Sequence, residues 1–285
     1  MNDGGVDSPL CCNPFKGSTV EVSILNGGIF DIGSQNVILN PLRTRICAKK
    51  ILFGLGFTRA WKEKQPPVIL GQIEFAKPTV RVEKDIAEQL TEANIPLESI
   101  NSIIWSHHHI GHTGDPFLFP KSVRLVVGPG FKSDNTLFPG YPKNPNAVTV
   151  DDAFEGHWVI LSPDFFSDGR FYLLAAPGHT HDHICGFART SKDEFFFLGG
   201  DIAHHACEFR LTTYLPLPAE INPSPFDLPT CVDKMECFGA SLHVFVIIAH
   251  IASVLGVLPL FPRTITTWDR TDEKIISRWR FLKGF

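Results

Sequence analysis

The sequence predicts a mixed α/β fold, and three observations carry that reading. Short β-branched or apolar runs bounded by turn residues recur along the chain, one amphipathic helix sits between them, and reactive polar residues follow directly on several strand ends. Thr19 to Leu25 (TVEVSIL) reads as a strand closed by the turn signal Asn26-Gly-Gly, and Pro67 to Leu70 and Thr79 to Val82 read as further short runs of strand type. A helix fits Val82 to Asn94, where Ile86, Leu90 and Ala93 recur on one face, charges fill the other, and Asn94-Ile-Pro ends it. Ile100 to Trp105 is a strand running straight into Ser106-His-His-His. Later strands are expected at Val123 to Val127, Phe171 to Ala175, Phe195 to Leu198 and Val244 to Ala249. The last three each end one to four residues before a His or Asp, the usual geometry of a site carried on a sheet.

Composition narrows the class. The 285 residues are 44% hydrophobic and 20% charged, which excludes disorder as the main state. With 26 Lys and Arg against 30 Asp and Glu, the net charge of -4 leaves no basic footprint, so no nucleic acid partner is expected. Seven cysteines form an odd set with no Cys-x-x-Cys, which suits reduced thiols better than a disulfide scaffold. The start lacks the basic and apolar regions of a signal peptide, and a cytoplasmic location is the expectation. Val244 to Phe261 is long and apolar enough to suggest a membrane span. His250 and Pro259 interrupt it, so a buried strand followed by a short helix is preferred and no membrane partner is expected. No repeat or domain boundary shows: residues 1–18 read as an N-terminal extension and 19–285 as a single domain, with Phe138 to Asn146 as a surface loop.

The unusual count is 12 histidines, four of them in Ser106-His107-His108-His109-Ile110-Gly111-His112. Side chains alternate along extended backbone, so His107 and His109 point the same way, and a tight turn at Gly111 brings His112 back to them. Four His within six residues after a buried-type strand are in the wrong place for a purification tag. Three neutral imidazoles are the commonest start of a zinc site, and further donors must come from elsewhere. Candidates stand at strand ends: His179 in Pro177-Gly-His-Thr, Asp201 in Gly199-Gly-Asp, and His250 after Val-Ile-Ile-Ala.

In that order, HxHxxH, then PGHT, then GGD, then a late strand-ending His, the chain resembles the metallo-β-lactamase superfamily, whose motif is HxHxDH. The separations from His107 to His179, Asp201 and His250 are similar to those of its N-acyl homoserine lactonase-like members, and segments such as Val127 to Lys132, Phe138 to Pro142, Glu208 to Arg210 and Tyr214 to Pro218 are similar to a fungal subgroup. The resemblance implies an αββα sandwich of two mixed sheets with helices outside. It implies a first metal site of His107, His109 and His179, and Asp201 bridging to a second with His112 and His250. Gly111 stands where the motif has Asp, which removes a carboxylate from the second site and leads to one tight and one weak zinc. His204 occupies the place of a Tyr that assists the substrate carbonyl in lactonases and takes an acid or carbonyl-contact role beside Asp201. His108, His183 and His205 are candidates to orient ligands, each also readable as a locally bonded or solvated histidine. Asp182 is readable as a substitute carboxylate or as an exposed turn residue.

The chemistry this permits is attack of metal-bound hydroxide on a lactone, ester or thioester carbonyl. The alternative, suggested by the missing Asp, is a non-hydrolytic lyase, isomerase or cyclase acting on a natural-product intermediate. The substrate is a small molecule, hydrophobic acyl or polyketide-like in view of the Phe-rich segments around Phe117, Phe119, Phe165, Phe166 and Phe195 to Phe197, although such aromatics default to core. A monomer or homodimer is expected. Cys185 and Cys207 read as small buried hydrophobes.

Overall fold

A computed structural model describes residues 19–31, 36–38, 42–46, 49–150, 164–210, 235, 237–265 and 272–284. The expected N-terminal extension and the Tyr214 to Pro218 segment lie outside the described residues.

The strands are β1 (Glu21–Ile24), β2 (Ile29–Asp31), β3 (Asn36–Ile38), β4 (Leu42–Ile46), β5 (Lys49–Phe53), β6 (Thr79–Arg81), β7 (Ile100–Ile104), β8 (Arg124–Val126), β9 (Phe171–Ala175), β10 (Ile184–Arg189), β11 (Phe195–Leu198) and β12 (Val244–Ile247). The helices are α1 (Trp61–Lys64), α2 (Pro67–Ala76), α3 (Ile86–Glu92), the single turn α4 (Ile110–Thr113) and α5 (Glu273–Trp279). One sheet runs β1-β4-β5-β7-β8 and a second β12-β11-β10-β9, while β3-β2-β6 form a small third. Both larger sheets are mixed. β1, β4 and β5 are antiparallel whereas β5, β7 and β8 are parallel; β9, β10 and β11 are antiparallel whereas β11 and β12 are parallel.

Alternation along the strands sets the layers. Ile51, Phe53, Ile104 and Val126 of the first sheet share one buried cluster with Phe171, Leu173, Ile184 and Phe197 of the second. Their neighbours Leu52, Ile103, Trp105 and Leu125 form another cluster with Ile86, Ala87 and Leu90 of α3, so the first sheet is buried on both faces. Asp85 caps α3 in a reciprocal box with Glu88, which starts the helix at Ile86, four residues inside the Val82 expected from periodicity. On the second sheet, Phe196 and Phe245 pack edge to face at 5.5 Å. The Arg210 guanidinium lies over Phe245 and donates to the carbonyls of Val246 and Arg278, tying α5 to that sheet. The result is the expected αββα arrangement.

Two local expectations are corrected, and a third is met in its strand. Pro67 to Leu70 opens α2: a proline at the first helical position needs no N–H partner, and the apolar run continues helically to Ala76. The short helix after Ile251 is a single 3-10 turn, Ala252–Val254. The apolar stretch from Val244 is strand and turn, and no described helix is long and apolar enough to cross a membrane.

Candidate metal centre

The strand ends place the site. β7 hands over to Ser106 and His107, His109 caps the N-terminus of α4, and α4 carries His112. The β9–β10 connection carries His179 to His183, β11 ends at Gly199-Gly200-Asp201, and β12 ends before His250. Backbone bonds lock these segments together: Ile184 N–H donates to Ser106 O (2.8 Å), Leu55 N–H to His112 O (2.9 Å) and Ala249 N–H to Gly200 O (2.9 Å). Gly200 is required where it stands. Its φ is +54°, and a Cβ there would lie 2.9 Å from Ser106 Cβ and 3.0 Å from His183 Nε2.

Two donor groups form, one of His107, His109, His179 and Asp201, the other of His112, Asp201 and His250, the donor atoms of each lying within 4.8 Å of one another. These are the six residues that the sequence nominated, and the Asp201 carboxylate is shared. Its Oδ2 stands 2.9 Å from His250 Nε2, 3.6 Å from His179 Nε2 and 3.7 Å from His107 Nε2, and its Oδ1 is 3.1 Å from His112 Nε2. His109 Nδ1 and His179 Nε2 face each other at 3.0 Å. Gly111 brings no donor, so among the described residues the second group stops at three.

The residues present fit metal ions. His107 Nε2 is buried and has no hydrogen-bond partner among the described residues, a costly arrangement for a polar atom unless a ligand completes it. Burial and the neighbouring imidazoles hold His107 well below the ordinary histidine value, and burial lowers His109 to about 3 and His179 to about 2. They are neutral donors at neutral pH. Burial alone would raise Asp201, but His112 and His250 beside it hold its carboxyl well below the ordinary range, so it is charged.

Other groups orient the donors. Ser106 Oγ, fully buried, lies 3.2 Å from His107 Nδ1 and 3.1 Å from His112 Nδ1, touching one imidazole of each group. His183 is buried, is lowered to about 4 by that burial, and its Nε2 accepts the Asp201 backbone N–H at 3.1 Å. His204 sits at the rim with its ring parallel to His250 (5.1 Å, 10°) and its Nε2 3.8 Å from Asp201 Oδ2. Asp182 is neither an exposed turn residue nor part of a donor group: it is 1% exposed and pairs with His108 Nδ1 at 2.8 Å. Its backbone backs onto Gly128, where any Cβ would fall 1.8 Å from Asp182 O. The His205 ring packs edge-on against Phe281, away from the donors. Cys185 is buried with its thiol toward Gly199 O. The Cys207 side chain lies outside the described residues. Phe119, Phe196 and Phe197 are buried core, whereas Phe117 borders a cavity.

The role of Ser106 was not read from the sequence, although it opens the motif. Its signal is a small hydroxyl residue between an apolar strand and the first histidine, but only the folded loop shows that two imidazoles close on it.

A shared carboxylate among five imidazoles, at one end of two face-to-face mixed sheets, defines a metal-dependent hydrolase of the αββα class. Comparison places the chain within that class. No family model matches the chain. It is 32% identical over 291 residues to a metallo-hydrolase, mfmC, of Annulohypoxylon moriforme, covering 84% of this chain and 76% of that protein. It is 32% identical over 292 residues to the gamma-lactamase FDB1 of Fusarium pseudograminearum, covering 82% and 70%. Among solved structures, a quorum-quenching N-acyl homoserine lactone lactonase superposes with a TM-score of 0.62 at 15% identity, covering 88% of this chain and all of that one. The chain belongs to the metallo-β-lactamase superfamily of these metallo-hydrolase and gamma-lactamase relatives, and it shares the fold of the solved lactonase.

Proposed function

We propose that the protein is a zinc-dependent hydrolase that opens a lactone, ester or thioester of a small hydrophobic acyl or polyketide-like molecule, and by the same chemistry a γ-lactam. The observation that carries this is the convergence of His107, His109, His112, His179 and His250 on the two oxygens of Asp201. The names of the relatives, a metallo-hydrolase and a gamma-lactamase, point to hydrolysis of an acyl bond. The shared hydrophobic core of the two sheets supports one domain over 19–285.

In this reading His107, His109, His179 and Asp201 hold a tight ion, and His112, His250 and Asp201 hold a weaker one. Zinc bound there lowers the pKa of water to about 7 and polarises a carbonyl oxygen. The chain does the rest. Asp201, charged, spans both donor groups and fixes their separation. Ser106 and His183 hold ligand orientation from behind. His204, lowered by burial and hence neutral at neutral pH, presents its ring to the mouth of the site, where its N–H serves the substrate carbonyl or the leaving group.

The test is a panel of lactones, thioesters and γ-lactams assayed with protein whose zinc is quantified by mass spectrometry. Native protein turns over at least one class, and His109→Ala abolishes turnover. Less than about half an equivalent of zinc after gentle purification overturns the metal reading. Inert native protein that gains hydrolysis only as Gly111→Asp overturns the hydrolase reading in favour of non-hydrolytic chemistry.

A further inference from the structure

The His204 ring stands at the rim of the metal centre and touches both donor groups. It lies parallel to His250 of the second group (5.1 Å, 10°) and at 60° to His179 of the first (5.0 Å), with Nε2 3.8 Å from Asp201 Oδ2. The side chain is 40% exposed, so these contacts leave part of the ring open to solvent. Its aim therefore depends on the backbone that carries it.

That backbone belongs to no strand or helix: His204 and His205 stand between Asp201 and the 3-10 turn Ala206–Glu208. The Glu208 side chain supplies what regular structure would. Its Oε1 accepts the His204 N–H at 3.1 Å and the His205 N–H at 2.7 Å, while the Glu208 N–H donates to His205 O at 3.1 Å. Ala203 and Ala206, on either side of the pair, are buried in the core that the two sheets share. Held at these points, the segment turns His204 inward onto the donors and His205 onto Phe281. Burial pushes the Glu208 carboxyl above its ordinary value, against the pull of the two N–H groups, as expected of a side chain drawn into the loop rather than left in solvent.

We infer that Glu208 is a positioning residue that acts through His204: by gripping the backbone of residues 204 and 205, it fixes where the His204 ring stands over the two donor groups. Glu208 belongs to neither donor group. The inference rests on the role proposed above for His204 in hydrolysis. Displacing such a ring by about 1 Å costs on the order of 100-fold in rate, and the cost falls on kcat rather than on substrate binding.

A double-mutant cycle tests it, on the zinc-loaded chain with a substrate it turns over. Glu208→Ala is expected to lower kcat about 100-fold with KM within about threefold, His204→Ala to lower it at least as far, and the double variant to be no slower than His204→Ala. Glu208→Gln keeps an acceptor oxygen and retains kcat within about threefold, whereas Glu208→Asp, the milder change for folding, withdraws the oxygen by one methylene and loses at least about tenfold. A second readout needs no turnover. In amide hydrogen exchange followed by NMR, the His204 N–H is protected in the wild type and in Glu208→Gln, and loses protection in Glu208→Asp and Glu208→Ala. A glutamate that only stabilises the fold slows both backgrounds by the same factor, and that additivity overturns the inference. Wild-type kcat in Glu208→Ala overturns it too, as does unchanged protection of His204 in the Asp and Ala variants. If native protein is inert on every lactone, thioester and γ-lactam of the panel, the hydrolase reading fails and exchange decides this one: lost protection on shortening the side chain upholds the grip of Glu208 on His204, and retained protection refutes it.

Discussion

Replacing Ser106 by alanine removes one oxygen that two ligand imidazoles share. If His107 and His112 offered Nε2 to metal ions, each would carry its proton on Nδ1, and both Nδ1–H groups would donate to Ser106 Oγ, which lies 3.2 and 3.1 Å from them. In Ser106→Ala the two N–H groups are buried without acceptors, at about 1–3 kcal/mol each. The metal-free protein escapes most of that cost, because an imidazole without a metal can move its proton to Nε2, where His112 finds Asp201 Oδ1 at 3.1 Å. The loss therefore falls on metal binding. It amounts to about 10- to 100-fold in affinity for each ion, the range found when partners of ligating histidines are removed. The assay is zinc competition with a chromophoric chelator, beside calorimetric Tm values of the stripped proteins. Ser106→Thr keeps the oxygen and should retain most of the affinity. Wild-type zinc affinity in Ser106→Ala, or a loss fully matched by a lower Tm of the stripped protein, refutes the tautomer argument.

Gly200→Ala forces a Cβ into a left-handed turn against Ser106 and His183, and should lower stability by about 1–3 kcal/mol and zinc content with it, read by Tm and metal analysis. Phe196→Ala empties a fully buried site between β11 and its cover and should cost about 3–5 kcal/mol in denaturant unfolding, with zinc stoichiometry unchanged. Burial depresses His109 to about 3 and His183 to about 4 from the ordinary 6.5, so the unfolded chain binds protons that the fold refuses. Stability of the stripped protein is thus fully present above about pH 6.5 and falls as pH drops toward 3; a flat pH dependence across that window contradicts neutral, buried imidazoles. Gly111→Asp adds a carboxylate beside the three-donor group and should tighten the second zinc at least about tenfold while leaving the first unchanged, separable by stepwise chelation.

Strands with regular alternation were legible to within two residues. Phe171–Ala175 and Phe195–Leu198 match the reading outright, because β-branched and aromatic runs between turn signals have few other ways to be buried. Pro67 to Leu70 misled because four apolar residues carry no period, and the helix they open is revealed only by the stretch that follows. β10 (Ile184–Arg189) was not nominated: Gly186 weakens the strand signal locally, yet a Cβ there would press on Phe171 and Leu198 of both neighbours.

The six donors were legible because each stands at or just beyond a strand end, or on the one turn after it, and strand ends are where a sheet aims side chains without losing ladder bonds. What supports those donors was not legible, for a physical reason. Asp182 looks like a turn residue in sequence because a carboxylate between two histidines in a loop is usually solvated. Its burial against His108 depends on the β9–β10 connection folding back over Gly128, a contact between segments 54 residues apart that no local pattern encodes. The same holds for Ser106. Donor identity is written in short motifs, whereas donor orientation is written in the long-range packing that brings β7, β10 and β11 to one edge. Gly111 belongs to both descriptions: it brings no carboxylate to the second donor group, and among the described residues Asp201 is the one carboxylate that the two groups share.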